Sequence, residues 1–122
     1  MSLRNAFLSL MLMLGMTGSV WAGGAHQDFQ LTNATGYTID QVYVSPSSEE
    51  SWESDVLGRD TLGDGEYVNI HFERDTTPCK WDLKVVYTDN EAVVWHDIDL
   101  CTVSAVTIHW DRSSGVSRAT VE

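Results

Sequence analysis

The chain has 122 residues, 43% of them hydrophobic, and sets 18 acidic side chains against 7 basic ones for a formal charge of −11. The length holds one domain at most, and five Trp, four Tyr and three Phe require a packed core, which excludes a multidomain machine and a disordered chain. So acidic a surface cannot neutralise a run of phosphates, which excludes nucleic acid and an anionic membrane as partners.

Residues 1–22 read as an export signal. Arg4 gives a basic start, Ala6 to Met16 is an apolar run, and Thr17, Gly18 and Ser19 break it. Val20–Trp21–Ala22 then places small residues at −3 and −1 of a cut before Gly23. As a helix the apolar run spans roughly 16 Å, about half a bilayer core, so it is too short for an anchor. There is no twin-arginine pair and no Cys at the cut. The expected product is residues 23–122, one soluble domain, periplasmic or secreted, with no membrane insertion.

The elements follow in chain order. Asp28 to Asn33 alternates, with Phe29 and Leu31 inward, and ends in the turn Asn33–Ala34–Thr35–Gly36. Tyr37 to Ser45 is β-branched and aromatic, with a phase break near Asp40–Gln41 that predicts a bulge; Pro46 ends it. Ser47 and Glu50 have capping-box spacing, and Trp52 and Val56 stand i, i+4, so a short crossover helix is expected before Gly58. Glu66 to Glu73 alternates with Val68, Ile70 and Phe72 inward and Tyr67, Asn69 and His71 outward. Lys80 to Tyr87 places Trp81, Leu83, Val85 and Tyr87 on one face, and Ala92 to Leu100 returns antiparallel past Asp89–Asn90. Thr102 to Trp110 directs Val106, Ile108 and Trp110 inward, and Val116 to Glu122 forms a short edge strand or a frayed tail. Six to seven short strands and one helix predict an all-β chain, a small antiparallel β-sandwich, Ig-like or similar.

Cys79 and Cys101 are an even pair in an exported chain, which reads as a disulfide. The chain-entropy model gives it about 3.4 kcal/mol. A two-residue loop at Asp89–Asn90 would pair Val85 with Val94, Trp81 with Ile98 and Lys80 with Asp99. The cysteines then fall one residue out of register, so either the strand carries a bulge or the bond forms just beyond the ladder; the bulge is preferred.

Chemistry-bearing residues are few. If the strands holding His71 and His109 pair, their imidazoles could meet and bind Zn²⁺ or Cu²⁺ with Glu73 or Asp111. Asp60, Asp64 and Glu66 lie in a glycine-containing turn that could converge them on Ca²⁺ or a trivalent cation, although the EF-hand pattern is absent. No nucleophile elbow and no phosphate-cradling glycine loop occurs. Trp95 and Tyr67 fall on the solvent side of their strands. With Trp52, His71 and His109 they mark a candidate binding surface.

LTNATGYTIDQVYVSPS, WESDVLGRDTLGDGE, CKWDLKVVYTD and DLCTVSAVTIHWD together resemble a group of small exported bacterial proteins, mostly from alphaproteobacteria and uncharacterised in activity. The resemblance covers Phe29 to Trp110. It implies a periplasmic single domain with the Cys79–Cys101 pair, and no activity. Some members carry the label argininosuccinate lyase. Those enzymes are long helical tetramers with a G-S-S-x-M-P-x-K-x-N loop, and this chain has neither the length nor the loop, so the label is an error. The expected function is non-enzymatic: a periplasmic binding or accessory module for a protein partner or small ligand, needing no cofactor. The alternative is an acidic carrier of Ca²⁺ or a trivalent ion.

Overall fold

Seven strands carry the alternation: β1 (Phe29–Ala34), β2 (Ile39–Pro46), β3 (Tyr67–Ile70), β4 (Lys80–Tyr87), β5 (Ala92–Asp99), β6 (Ala105–Asp111) and β7 (Val116–Val121). The structure, a computed structural model, describes residues 25–122, so the export signal lies outside the described residues. The strands form a four-stranded sheet, β3-β1-β6-β7, and a three-stranded sheet, β2-β4-β5. Phe29, Leu31, Ile70, Val106 and Ile108 of the first sheet and Val42, Trp81, Leu83, Val85 and Tyr87 of the second share one buried core. The fold is therefore a small β-sandwich, closed by non-directional burial of two inward faces. One pairing departs from the antiparallel expectation: β1 and β6 run parallel, with Leu31 opposite Val106. A parallel pair needs a long connection, and β2 to β5 supply it.

The crossover helix does not form. Residues 47–58 are turns and irregular chain that bond mainly to the sheet, with one internal backbone bond from the Gly58 amide to the Asp55 carbonyl. The Val56 amide donates to the Val42 carbonyl at 2.8 Å, and the Ser47 amide to that of Lys80 at 2.9 Å. One Asp55 oxygen accepts from the Val42 amide at 2.8 Å and the Leu57 amide at 3.0 Å. The Ser47 hydroxyl, expected as a cap, donates to Asp82 at 2.7 Å. Two adjacent residues, Val56 and Leu57, anchor the segment in the core rather than an i, i+4 stripe. β3 is also shorter than its alternation, because the Phe72 amide turns to Asp28 Oδ1 at 2.8 Å.

The β4–β5 hairpin resolves the cysteine register differently from expectation. Its loop has three residues: the Tyr87 amide bonds to the Glu91 carbonyl, and Asn90 takes φ +72°. This shifts the pairing by one, so Val85 faces Val93, Leu83 faces Trp95, and Trp95 turns toward the core. A bulge at His96–Asp97, with Asp97 at φ +59°, shifts it back. Trp81 then faces Ile98 and Lys80 faces Asp99, both as expected. The disulfide closes just beyond the ladder, with Cα atoms 5.1 Å apart, where the Leu100 amide bonds to the Cys79 carbonyl at 2.8 Å. The bulge expected in β2 is present between Ile39 and Gln41.

Candidate functional site

β1 carries a polar residue in its inward phase. After Phe29 and Leu31 comes Asn33, which is completely buried. Its Nδ2 donates to the carbonyls of Tyr37 at 2.7 Å and Leu62 at 2.9 Å. Its Oδ1 accepts from the Thr35 amide at 3.0 Å and the Thr35 hydroxyl at 2.7 Å. The side chain thus meets its whole hydrogen-bonding capacity and fixes the turn that ends at Tyr37.

That turn forms one wall of a cleft at an end of the sandwich. The inward stripes of β4, β5 and β6 run out there, past the last core layer. Tyr87, Val93 and Trp110 reach the opening, with Tyr37, Val116 and Ser117 beside them, around a cavity of about 520 Å³. Tyr37, 53% exposed, meets Trp110 edge to face, with ring centroids 6.1 Å apart at 89°. The Tyr87 and Ser117 hydroxyls are 2.9 Å apart, a buried bond joining the two sheets. Asp89 and Glu91, both exposed, stand on the lip. The sequence placed Trp110 in the core. It is on the correct face, but beyond the end of the core, so it is only partly covered.

A second, open groove of about 890 Å³ runs beside β3, the edge of the larger sheet. It brings together four residues expected at sites: Asp60, Glu66, Tyr67 and His71. The cation set does not converge. Asp64 Oδ1 accepts from the Gly36 amide at 2.8 Å, and Glu66 Oε1 from the Gly63 amide at 2.7 Å. Each of these carboxylates holds a turn through one oxygen. Among the described residues the one group of three or more ligand atoms within 4.8 Å is Cys79, Asp99 and Cys101, and both its sulfurs are held in the disulfide.

The two-histidine site is likewise not assembled. His71 follows the end of β3 that pairs with Phe29, while His109 lies opposite Ala34. They flank β1 on opposite sides, about 20 Å apart along it. His71 Nδ1 is instead 3.3 Å from Asp28, and His109 Nε2 is 3.2 Å from the Thr120 hydroxyl. Of the remaining surface residues, Tyr67 is exposed, but Trp95 packs against the core. Trp52 lies 6.4 Å from Tyr43, and Lys84 sits over both rings.

Ser47, Asp82 and His96 do meet. Asp82 accepts from the Ser47 hydroxyl and, at 3.1 Å, from the Asp97 amide, and its other oxygen is 3.1 Å from His96 Nδ1. The carboxylate is in the middle, whereas activation of a hydroxyl needs the imidazole there. The arrangement braces the β5 bulge. Burial pushes the Asp82 carboxyl up, but the Ser47 hydroxyl, the Asp97 amide and His96 outweigh it, and its pKa falls below the ordinary value. A lowered folded-state pKa stabilises above the unfolded value, about 3.9, and the contribution is lost as pH falls through the folded one. Asp82→Asn is therefore expected to lower the melting temperature near neutrality and to soften its fall on acidification below about pH 4. Paired melts across that range check this; parallel acid limbs would contradict it.

No family model matches the chain, and no curated protein does. In fold it is similar to a protein from Eubacterium rectale of known NMR structure, with a TM-score of 0.55 and 17% identity over 77% of this chain and 85% of that one. The likeness is one of fold, the two-sheet sandwich just described.

Proposed function

We propose that this is a non-enzymatic binding module of the periplasm that seats a small ligand in the cleft between Tyr37 and Trp110. The cleft itself carries the reading. At about 520 Å³ it lies within the size range of small-molecule sites. It offers apolar walls, a buried hydroxyl pair and two carboxylates at the lip. Export rests on the signal at residues 1–22, and the disulfide is compatible with an oxidising compartment. An NMR fragment screen of the oxidised protein tests the reading. Amide and indole shifts clustering at Tyr37, Val93 and Trp110 are expected, and a diverse panel that leaves them all unmoved would refute it.

The cation-carrier alternative would draw on the carboxylate oxygens that Asp64 and Glu66 do not commit to the Gly36 and Gly63 amides, and would have to bring them together. An ion at 100 times its dissociation constant would add roughly 2.7 kcal/mol. Melts in EDTA, Ca²⁺ and La³⁺ are expected to coincide. A saturable rise with one ion, abolished by Asp64→Asn, would reverse the preference.

A further inference from the structure

We infer that the cleft takes an organic ammonium ion, a soluble small molecule bearing a quaternary or tertiary amine; this rests on the cleft being a ligand site. Three aromatic rings line it, from Tyr37, Tyr87 and Trp110. The first and last stand at 89°, so their planes form two walls of a corner. Ring faces carry negative potential and attract a cation within about 6 Å, most strongly for Trp, and a corner lets two rings contribute at once. Asp89 and Glu91 at the lip add two negative charges, and among the described residues no Lys, Arg or His lines the cleft to oppose them. The formal charge of −11 favours the approach of a cation from solution.

The same chemistry occurs elsewhere in the chain with an internal partner. The Lys84 ammonium lies 5.4 Å from the Tyr43 ring centre and 5.9 Å from that of Trp52. There a tethered cation meets two rings of the outer surface. At the cleft the rings and acids are assembled without a tethered cation. An anion or a sugar acid would face two carboxylates and no positive group, and a purely apolar molecule would leave the acidic lip without a role.

Titrating the oxidised protein with choline and with its neutral isostere, 3,3-dimethylbutan-1-ol, separates charge from shape. Choline is expected to shift the Trp110 indole and Tyr37 amide signals saturably and to bind at least tenfold tighter than the alcohol. Its affinity should weaken as salt screens the lip. Tyr37 is half exposed, so Tyr37→Leu keeps the fold and should cut choline affinity at least fivefold. Asp89→Asn with Glu91→Gln, both on the exposed loop, should lower it severalfold and flatten the salt dependence.

Equal binding of the alcohol would overturn the ammonium assignment and leave the ligand-cleft reading standing. Absence of choline shifts at the cleft would overturn the assignment too, and the fragment screen then decides separately whether the cleft binds anything. Co-sedimentation with phosphatidylcholine vesicles, unmatched by binding of free choline, would overturn the choice of a soluble ligand.

Discussion

Asn33→Ala is expected to destabilise the oxidised protein by on the order of 4 kcal/mol, lowering its melting temperature by more than roughly 15 °C. The methyl group replaces an amide that makes four bonds in a fully buried position. Four bonds go, each worth about 1 kcal/mol net; the Thr35 amide is left bare, whereas the Leu62 carbonyl keeps the Ile39 amide and the Tyr37 carbonyl keeps the Thr35 hydroxyl. Entry of water into the gap keeps the loss near that sum. Asn33→Asp sharpens the test. It preserves shape and both acceptor bonds, but sets a carboxylate against the Tyr37 and Leu62 carbonyls in a dry site, and should be no better tolerated. Chemical and thermal denaturation of both variants check this, and a loss below about 1 kcal/mol for alanine would dismiss the hub. Because Asn33 fixes the carbonyl of Tyr37, the destabilised variants should also lose ligand shifts at the cleft.

Removing the disulfide as Cys79→Ser with Cys101→Ser is expected to cost about 3 kcal/mol. The closed loop, with a sequence separation of 22, spans both strands of the hairpin. In the unfolded chain the bond removes loop freedom. In the folded chain its ends already lie together, held by the Leu100 amide on the Cys79 carbonyl and the Cys101 amide on Asp99 Oδ1 at 3.1 Å. Denaturant melts of the variant should match those of reduced wild type. A loss under about 1 kcal/mol would mean that the hairpin persists in the unfolded ensemble and pre-orders the ends.

The sequence made the strands legible and left their irregular joints obscure. β4 was readable to the residue, because Trp81, Leu83, Val85 and Tyr87 alternate without interruption and all four are buried. The β2 bulge showed as a break in phase at Asp40. β5 was not readable, because Val93, Val94 and Trp95 are apolar in succession, so the loop length alone decides which of them face inward. Asp89–Asn90 suggested two residues where the chain uses three, and Trp95 was placed outward as a result. The helix failed for a related reason. Ser47 satisfied the local rule for a cap, while the sheet offered its hydroxyl an acceptor in Asp82 of β4, and the Val42 amide of β2 drew the Asp55 carboxylate.

The site was harder still. The cleft draws Tyr37, Tyr87, Val93 and Trp110 from four strands or their flanks, and no spacing in one stretch of chain announces such a set. Two signals were nevertheless present. One is the polar Asn33 in the inward phase of β1, directly before a glycine turn. The other is the inward stripe of β6 continuing to Trp110 at the strand's last residues, where an open-ended sandwich has nothing to cover it.

The bulge that Asp82 braces bears on how the protein behaves in company. A sandwich has four outer strands, and each could template pairing with another molecule. Here β5 is broken by a left-handed Asp97, β2 by the irregularity at Asp40 and by Pro46, and β3 is only four residues long. The remaining outer strand, β7, presents Arg118 midway along its length. Among the described residues only β7 leaves an even outer row, and it is six residues long with that charge in it. At high concentration, the sandwich is guarded against joining edge to edge into fibres.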